Sequence, residues 1–327
     1  MTILVTGSSG HLGEAIVRLL RDRGKTVVGM DINASPHTDI VGTIADRTLV
    51  KSALQDIDAI IHAATLHKPH VATHGRQEFI DTNVTGTLNL LEEAVEAGIR
   101  SMVFTSTTSV FGNALVPQPG EPAAWITEDV VPSPKNIYGI TKLAAENMCQ
   151  LFARKYGLRV AVLRTSRFFP EEDDRREIRE AFADENAKAN EFLFRRVDIE
   201  DAAEAHIAAM NRPPSAGFGL YIISATTPFS SDDLSDLRNN APEVLRRKLP
   251  DLASEYGRRG WTMFPQIDRV YVNDKARMEL GWTPKYDHRH LLQRLRQNEP
   301  VLGPMARTVG LKGYHAETFT EGPYPVD

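Results

Sequence analysis

A tyrosine and a lysine stand four residues apart in the segment SPKNIYGITKLAAENM, at Tyr138 and Lys142. Residues with this spacing share one face of a helix, so a phenol and an ammonium can lie side by side. A free tyrosine has a pKa of about 10, and a neighbouring ammonium lowers it by stabilising the phenolate. Such a pair predicts a proton donor and acceptor that works near neutral pH. Taken alone, the spacing is more typical of an exposed pair on an ordinary helix.

A cluster of hydroxyl side chains ends the strand-like run SMVFTSTTSVFG, between Thr105 and Ser109. Ligands of open parallel sheets bind beyond the carboxyl ends of the strands, which is where this cluster would lie. We therefore predict that Thr107 orients the substrate oxygen whose proton Tyr138 moves, with Thr108 beside it. The alternative is a threonine-rich strand end that bonds its own backbone.

The chain begins with a strand-like run, a glycine loop and an amphipathic helix, ILVTGSSGHLGEAIVRLL. Gly7, Gly10 and Gly13 would let the backbone approach a dinucleotide diphosphate at the helix N-terminus. The next strand-like run, TVVGMD, ends in Asp31, whose carboxylate can accept hydrogen bonds from a ribose diol and would repel a 2′-phosphate. These features predict an NAD site rather than an NADP site. The alternatives are a tight strand–helix turn and an aspartate that only opens a turn.

The elements needed to position these residues alternate along the first half of the chain. The runs TILVT, TVVGMD, AIIHAA, SMVFTST and RVAVLRT are apolar on both faces, as buried parallel strands are. Helical spacing of apolar residues fills the gaps between them, and three of these helical segments end in glycine. Strand and helix in alternation predict a doubly wound α/β fold with a parallel sheet.

The second half is less regular, and we expect a smaller C-terminal substrate-binding lobe built from it. The division predicted is 1–165 for cofactor binding, with elements from about 196–225 joining the same sheet, 166–300 mostly for the lobe, and 301–327 as an irregular tail. The acidic segment between 171 and 191 could be a solvated helix or a mobile flap. FRRVDIEDAAEAHIAAM is expected to form a strand followed by a helix.

Composition excludes several other classes of protein. The net charge is −5 and no basic block is present, which argues against nucleic acid as a partner. The single cysteine, Cys149, can form neither an internal disulfide nor a zinc site, so we expect a reducing, cytoplasmic location. A strand within the first residues argues against a signal peptide, and no apolar run approaches the roughly 20 residues that span a membrane.

The motifs TGSSGHLG, DAIIHAA, NVTGT, STTSVFG, YGITK, LRTSRFFP, RRVDIEDAAEAH and DKARMELGWTP occur in this order. With Asp31 they resemble the extended short-chain dehydrogenase/reductase superfamily, in its NAD-dependent epimerase/dehydratase family, over the chain up to about residue 295. The resemblance implies a Rossmann fold, bound NAD and a homodimer. It also implies a Thr–Tyr–Lys catalytic set formed by Thr107, Tyr138 and Lys142.

The resemblance further implies which residues contact the cofactor. They are Gly7, Ser9, Gly10, His11, Leu12, Asp31, Ile44, Ala63, Ala64, Thr65, Asn83, Thr105, Tyr138, Lys142 and Thr165. His62 is expected to be a satisfied core histidine rather than a catalyst. The homodimer would pair two helices, whose apolar residues include Leu88, Leu91 and Val95 in one and Leu143, Leu151 and Phe152 in the other.

Departures from the family pattern narrow the range of reactions that we expect. Sugar-nucleotide dehydratases of this family carry Asp–Glu after the catalytic threonine, but Thr108 and Ser109 stand here, which argues against dehydration. Phe194 occupies the place of a common phosphate-binding arginine. Arg195 and Arg196 are adjacent to it, so either could supply a shifted phosphate contact. If RRVDI were a strand, Arg196 would point to the same side as Phe194, so it is a candidate substrate contact.

Arg167 stands where sugar-nucleotide epimerases usually have asparagine. It could bind a substrate carboxylate through two parallel hydrogen bonds, or it could pair with one of the nearby acids of the 171–174 run. His67, His70 and His74 follow the strand IIHAA. No cysteine or acidic partner supports a metal site there, so we expect a substrate-side loop with His67 as a contact.

Three functions remain open at this point. The first is an NAD-dependent oxidoreductase that acts on a secondary alcohol or its ketone, with a sugar acid or sugar-like substrate. The second uses the same groups and returns the hydride to the other face, as a sugar or nucleotide-sugar epimerase of the UDP-glucose 4-epimerase kind. The third is a non-catalytic NAD-binding regulator, against which the intact Thr–Tyr–Lys set argues.

Overall fold

A seven-stranded parallel sheet in the order β3-β2-β1-β4-β5-β7-β8 organises the protein. The computed structural model describes residues 1–312 and residue 319. The sheet strands are β1 Thr2–Thr6, β2 Thr26–Asp31, β3 Ile40–Val41, β4 Ala59–His62, β5 Ser101–Thr107, β7 Arg159–Thr165 and β8 Phe218–Ile223. Two further strands, β6 Ala124–Ile126 and β9 Arg269–Tyr271, form a small parallel sheet of their own.

Helices cover both faces of the large sheet and build the C-terminal lobe. Those that belong to the first half are α1 His11–Asp22, α2 Arg47–Ala53, α3 Arg76–Phe79, α4 Gly86–Glu96 and α5 Ile137–Tyr156. Those that follow are α6 Arg176–Ala181, α7 Asp184–Phe192, α8 Ile199–Asn211, α9 Leu234–Lys248, α10 Pro250–Arg258, α11 Asp274–Leu280, α12 His288–Arg296 and α13 Pro304–Val309. The doubly wound fold with a smaller C-terminal lobe is confirmed.

Alternation along the strands divides the apolar side chains between two cores. Ile3 and Val5 of β1 pack in one core with Val103 of β5, while Leu4 and Phe104 pack in the other. Successive side chains of a strand point to opposite faces, so a strand covered by helices on both sides must be apolar throughout. This is why TILVT and SMVFTST show no alternation of polar and apolar residues.

The order of the strands reverses between β1 and β4, and the carboxyl ends of the strands meet at that crevice. Thr6 of β1 is in register with His62 of β4, and Thr107 of β5 is in register with Thr165 of β7. In open α/β sheets the crevice at such a switch point binds the ligand. The topology therefore gathers segments that are distant in sequence at one edge.

Helix α5 carries Tyr138 in its first turn and Lys142 one turn later. The side chain of Asn136 caps it by accepting a hydrogen bond from the backbone NH of Gly139 at 3.1 Å. The helix ends at Gly157, whose φ of 69° is the left-handed conformation that glycine adopts without strain. The sequence SPKNIYG thus fixes where the helix begins, and with it the position of the tyrosine.

Three expectations about the second half are wrong. The segment between 171 and 191 is not one solvated helix or flap, because α7 is buried over Asn186–Phe192 while only the short α6 is exposed. RRVDI forms no strand, and an isolated bridge between Arg167 and Arg196 is its only sheet-like pairing among the described residues. The start of the 301–327 tail is ordered and contains α13, with Val301 and Ala306 buried. Beyond residue 312, all of the tail except residue 319 lies outside the described residues.

Most of the apolar residues expected at a dimer interface pack inside the subunit instead. Leu91 and Phe152 are buried in the core of the subunit, and Leu88, Val95 and Leu143 are partly buried against it. Leu151 is exposed, as are Ile140 and Tyr156 on the same helix. Across the described residues, no helix is both long and apolar enough to cross a membrane.

Candidate active site

A cavity of about 970 Å³ opens at the carboxyl edge of the sheet. Its walls include nearly all of the residues expected to bind cofactor or substrate: Gly7, Ser9, Gly10, His11, Leu12, Asp31, Ile44, Ala63, Ala64, Thr65, His67, Thr105, Thr107, Thr108, Tyr138, Thr165 and Arg167. Three expected residues do not line it, namely Asn83, Lys142 and Arg196.

The glycine loop packs against neighbouring backbone more closely than side chains would allow. A Cβ atom on Gly7 would lie 2.6 Å from the backbone nitrogen of Ala64, and one on Gly13 would lie 1.9 Å from the carbonyl oxygen of Gly7. Gly7 also has a φ of 75°, which side chains disfavour. The glycines thus form a tight turn that lines the cavity at the N-terminus of α1, where a diphosphate can approach the backbone, so the loop fits NAD.

Asp31 ends β2 beside the same loop. Its carboxylate accepts hydrogen bonds from the backbone NH of Ser9 at 3.1 Å and of Asn33 at 2.9 Å. These bonds hold an anionic group at the edge of the cavity where an adenosine ribose would lie, and its charge opposes a 2′-phosphate. The position fits NAD in preference to NADP.

Asn83 is buried behind the residues that line the cavity and is not itself part of the lining. Its side-chain oxygen accepts from the backbone NH of Leu66 and from the Thr65 hydroxyl, both at 2.9 Å. Its amide nitrogen donates to the carbonyl oxygen of Leu66 at 2.9 Å and to Thr141 Oγ1 at 3.0 Å. Asn83 therefore ties the loop after β4 to α5 and positions Thr65, which does line the cavity.

Thr107 and Tyr138 meet at the carboxyl end of β5 through a hydrogen bond between their side chains. Burial raises the pKa of Tyr138 to about 12, although the bond with Thr107 lowers it. The expectation that Lys142 lowers the pKa of Tyr138 is therefore not met in this structure. At neutral pH the phenol holds its proton and can donate it.

Lys142 lies behind Tyr138 and is 2% exposed. Its Nζ sits 4.1 Å from the centroid of the Phe104 ring, a cation–π contact that replaces part of the lost hydration. Burial lowers the pKa of Lys142 to about 7, against the raising influence of Cys149 and Glu146. The ammonium is thus directed into the subunit, which explains why it does not line the cavity.

A buried ion pair supports the helix that carries Tyr138 and Lys142. Arg164 of β7 and Glu146 of α5 are joined at 2.8 Å, and each side chain is 4% exposed. Ser106 of β5 donates a further hydrogen bond to Glu146 at 2.5 Å. The pair links β5, α5 and β7, and sequence reasoning missed it because its members are 18 residues apart on different elements.

Two histidines near the site are satisfied core residues. His62 bonds Thr6 at 2.7 Å and Thr87 at 3.1 Å, and burial holds the pKa of His62 well below its usual value. His206 bonds Thr105 at 2.9 Å, and burial lowers the pKa of His206 to about 4. Both imidazoles are neutral at pH 7, and the structural interpretation of His62 agrees with its surroundings.

Arg167 lines the cavity, where a substrate carboxylate could reach it, and it is also paired with the acids of the 171–174 run. Each of the two roles expected from the sequence therefore matches part of its environment. Its Nη1 lies 3.0 Å from Asp174 Oδ1, and its Nη2 donates to the carbonyl oxygen of Glu172 at 2.9 Å. Arg196 is 1% exposed and bound to Glu191 at 2.8 Å. The expected substrate contact of Arg196 is wrong, because Arg195 is the member of the pair that faces the cavity.

The loop after β4 and the segment after β7 meet across the cavity. The His67 ring stacks on Phe169, with centroids 5.4 Å apart, and Lys68 forms an ion pair with Asp174. His11 Nε2 lies 2.9 Å from Glu171 Oε1. Within the part of the chain that the structure describes, no group of histidines, cysteines and acids is arranged to hold a metal ion.

Several cavity residues carried no sequence signal. They are Lys68, Ser166, Phe169, Arg269, Tyr271 and Lys312. They come from loops and from the C-terminal lobe, where no periodic pattern marks a functional residue. Of the cationic side chains in the cavity wall, Lys68, Arg195 and Lys312 are paired with carboxylates, so their charges are largely compensated within the protein.

A glycine loop, an acid at the end of the second strand and Thr, Tyr and Lys residues at the expected positions on a doubly wound sheet indicate an NAD-dependent enzyme of the extended short-chain dehydrogenase/reductase type. The sequence model of the NAD dependent epimerase/dehydratase family matches residues 3–219, and the chain belongs to this family. The family resemblance inferred from the sequence is confirmed.

Individual relatives span different shares of the chain. UDP-glucose 4-epimerase of Streptococcus mutans is 27% identical over an alignment covering 88% of this chain and 93% of that enzyme. An uncharacterized protein of Sinorhizobium fredii is 34% identical over 50% of this chain, but the match spans only 40% of that protein. A short-chain dehydrogenase/reductase superfamily protein of Agrobacterium tumefaciens, solved with bound NAD, shares the fold with a TM-score of 0.64, 23% identity, and coverage of 91% of this chain and 98% of that one.

Proposed function

We propose that this enzyme transfers hydride between NAD and a secondary carbinol of a sugar-like substrate, with Tyr138 as acid and base. The observation that carries the proposal is the bonded Thr107–Tyr138 pair at the carboxyl end of β5, inside the cavity that the glycine loop and Asp31 also line. Residues 1–165 would bind the cofactor, and the lobe formed mostly by 166–300 would bind the substrate.

Different residues bind the substrate oxygen and transfer its proton. Thr107 Oγ1 hydrogen-bonds the substrate oxygen and holds it against the Tyr138 hydroxyl. Tyr138 takes the proton of that oxygen when the carbinol is oxidised and returns it when the ketone is reduced. NAD, when bound, supplies the acceptor and donor of the hydride. Lys142 lies one helical turn from the tyrosine, and to hold the cofactor ribose its ammonium would have to turn from the Phe104 ring toward the cavity.

An epimerase is favoured over a dehydrogenase as the net outcome. The similarity to UDP-glucose 4-epimerase extends over nearly the full length of both chains, which supports a reaction that returns the hydride to the opposite face. The epimerase, which was the second function expected from the sequence, thus becomes the first. Lys68 and Arg195 in the cavity wall are paired with carboxylates, whereas no ion pair of Arg269 is found among the described residues. Arg269 therefore supports an anionic substrate, either a nucleotide sugar or a sugar acid.

The test is a panel of nucleotide sugars, sugar acids and polyols incubated with the enzyme and NAD. Inversion of a carbinol without accumulation of NADH, read at its absorbance, is the expected result. Net NADH formation on turnover would establish the dehydrogenase instead. If the Tyr138→Phe variant kept every activity of the wild type, neither function would stand and a regulatory role would replace them.

A further inference from the structure

The C-terminal segment is fixed in a path that returns it to the glycine loop. Helix α13 packs against α1 and α8. The backbone NH of Gly303 donates to the buried Asp198 at 2.8 Å, and that of Val301 donates to Glu185 at 3.0 Å. Val309, at the end of α13, is buried as well. These anchors hold the chain beside α1, so that residues 310–312 reach the cavity that the glycine loop lines.

Lys312 lies just beyond α13 and lines the same cavity as the glycine loop. Its backbone NH donates to Glu171 Oε1 at 3.3 Å, and the same carboxylate oxygen lies 2.9 Å from His11 Nε2. Its ammonium forms an ion pair with Glu14. The lysine is thus connected twice to α1, through His11 at the first position of the helix and through Glu14 in its first turn.

Glu14 is an unfavourable residue for a helix start that binds a diphosphate. It follows Gly13 directly, and its side chain is only 7% exposed. The N-terminus of a helix attracts anions, but a carboxylate already placed there repels a second anion. Burial raises the pKa of Glu14, yet hydrogen bonds from Lys312 and Arg18 outweigh it, so the pKa lies below its usual value and the group is charged.

Basic side chains meet both oxygens of this carboxylate. Arg18 Nε lies 2.7 Å from Oε1, and His37 Nε2 lies 3.4 Å from the same oxygen. Lys312 is bound to Oε2 and is the one of these three partners that lines the cavity. Lys312 therefore pairs with Glu14 and borders the cavity at the same time.

We propose that Lys312 is part of the NAD site, where its ammonium neutralises Glu14 and so keeps the N-terminus of α1 attractive to the diphosphate. The C-terminal segment then has a binding role as well as a packing role. A residue almost 300 positions from the glycine loop compensates a carboxylate that the loop helix itself carries.

The experiment is isothermal titration of NAD into the full-length protein without substrate, so that its result is independent of which reaction is catalysed. Lys312→Met keeps the length of the side chain and removes the charge, and we expect about tenfold weaker NAD binding. Lys312→Arg keeps the charge and should bind within about twofold of the wild type. Lys248→Met, which removes a similar ion pair with Asp233 far from the cavity, should bind NAD as the wild type does.

The double variant E14Q/K312M separates neutralisation from any other role of the lysine. Without the carboxylate there is no charge to compensate, so the NAD affinity of the double variant should lie within about twofold of that of the Glu14→Gln single variant. Wild-type affinity in Lys312→Met, or a double variant as weak as Lys312→Met alone, would overturn the proposal. Thermal unfolding of each variant confirms that folded protein is compared, and the double variant gives the decisive result even if Lys312→Met proves unstable.

Discussion

Tyr138 and Thr107 bring two hydroxyls together on neighbouring elements, and the surroundings decide which protonation state they favour. Burial raises the pKa of the phenol and outweighs the bond from Thr107, while the Lys142 ammonium turns toward the Phe104 ring. The free site is therefore prepared to donate a proton at pH 7. Removing a proton from a substrate requires that bound groups stabilise the phenolate further.

At the residue scale, replacing Tyr138 by Phe should impair proton transfer far more than cofactor binding. We expect kcat to fall by about 10²–10⁴-fold, the usual contribution of a positioned acid or base, and the Kd for NAD to change by less than about tenfold. Steady-state rates on the substrate found by the panel, together with calorimetric titration of NAD, measure the two effects. Tyr156→Phe, on the exposed end of the same helix, is the matched control. Equal rates in Tyr138→Phe and wild type would remove Tyr138 from the mechanism.

Lys142 gives a prediction about stability and pH in the cofactor-free protein. Burial holds its pKa at about 7 in the folded state, against 10.5 for an unperturbed lysine. Between these values the unfolded chain binds a proton that the folded chain does not, so stability rises with pH across this window. The slope from this group approaches about 1.4 kcal/mol per pH unit.

The variant Lys142→Met isolates that slope. Because the methionine does not titrate, the stability of the wild type relative to the variant should increase as the pH rises from 7 to 10. Urea unfolding at several pH values measures the difference, and Lys25→Met, at an exposed site, should track the wild type. A constant difference between wild type and Lys142→Met over this range would show that Lys142 keeps its proton in the folded state.

At the element scale, the pair Glu146–Arg164 fixes the mutual position of α5, β5 and β7. Both charges are buried, so removing one leaves the other without compensation in a medium of low dielectric. The helix that carries Tyr138 and Lys142 depends on this contact for its register against the strand that carries Thr107.

Glu146→Ala should therefore lower the free energy of unfolding by about 3–5 kcal/mol, the usual effect of breaking a buried pair. Glu180→Ala breaks the exposed pair with Arg176 and should change it by less than about 1 kcal/mol. Chemical denaturation of both variants compares the two. Similar small losses would mean that water reaches the Glu146 site and that the pair does not hold α5.

At the scale of the whole molecule, an exposed stripe of α5 with apolar residues at its two ends supports the proposed homodimer. Ile140 and Leu151 are about three helical turns apart and lie on the same face, with the exposed Asn147 between them and Tyr156 exposed near the helix end. The stripe is narrower than expected from the sequence, since Leu91 and Phe152 are used in the core of the subunit.

We expect light scattering after gel filtration to give a dimer mass at micromolar concentration. Leu151→Glu places a charge in the stripe and should shift the mass to the monomer, since an unpaired charge is costly to bury in an interface. Met278→Glu, at a 75% exposed apolar residue of the C-terminal lobe, should leave the mass unchanged. A monomeric wild type would contradict the homodimer.

Short motifs of neighbouring residues were enough to predict the fold and the position of a cofactor site from the sequence. Glycines that no side chain can replace, an acid at a strand end, and a Tyr–Lys pair at helical spacing are each encoded within a few residues. The doubly wound sheet, the glycine loop and the Thr107–Tyr138 pairing therefore followed from pattern and topology alone. Helix α7 and the region around Arg196 did not, because their charged residues are buried through pairing with partners that the pattern does not reveal.

The tertiary structure alone decided which charges face the cavity. Arg195 rather than Arg196 lines it, Lys142 turns inward, and Lys312 arrives from the far end of the chain to meet Glu14. The sequence by itself determined which groups could move a proton and hold a dinucleotide, since those roles depend on residues close together along the chain. Electrostatic compensation acts through space between distant segments, so only the folded chain shows which charges are paired and which remain to bind a ligand.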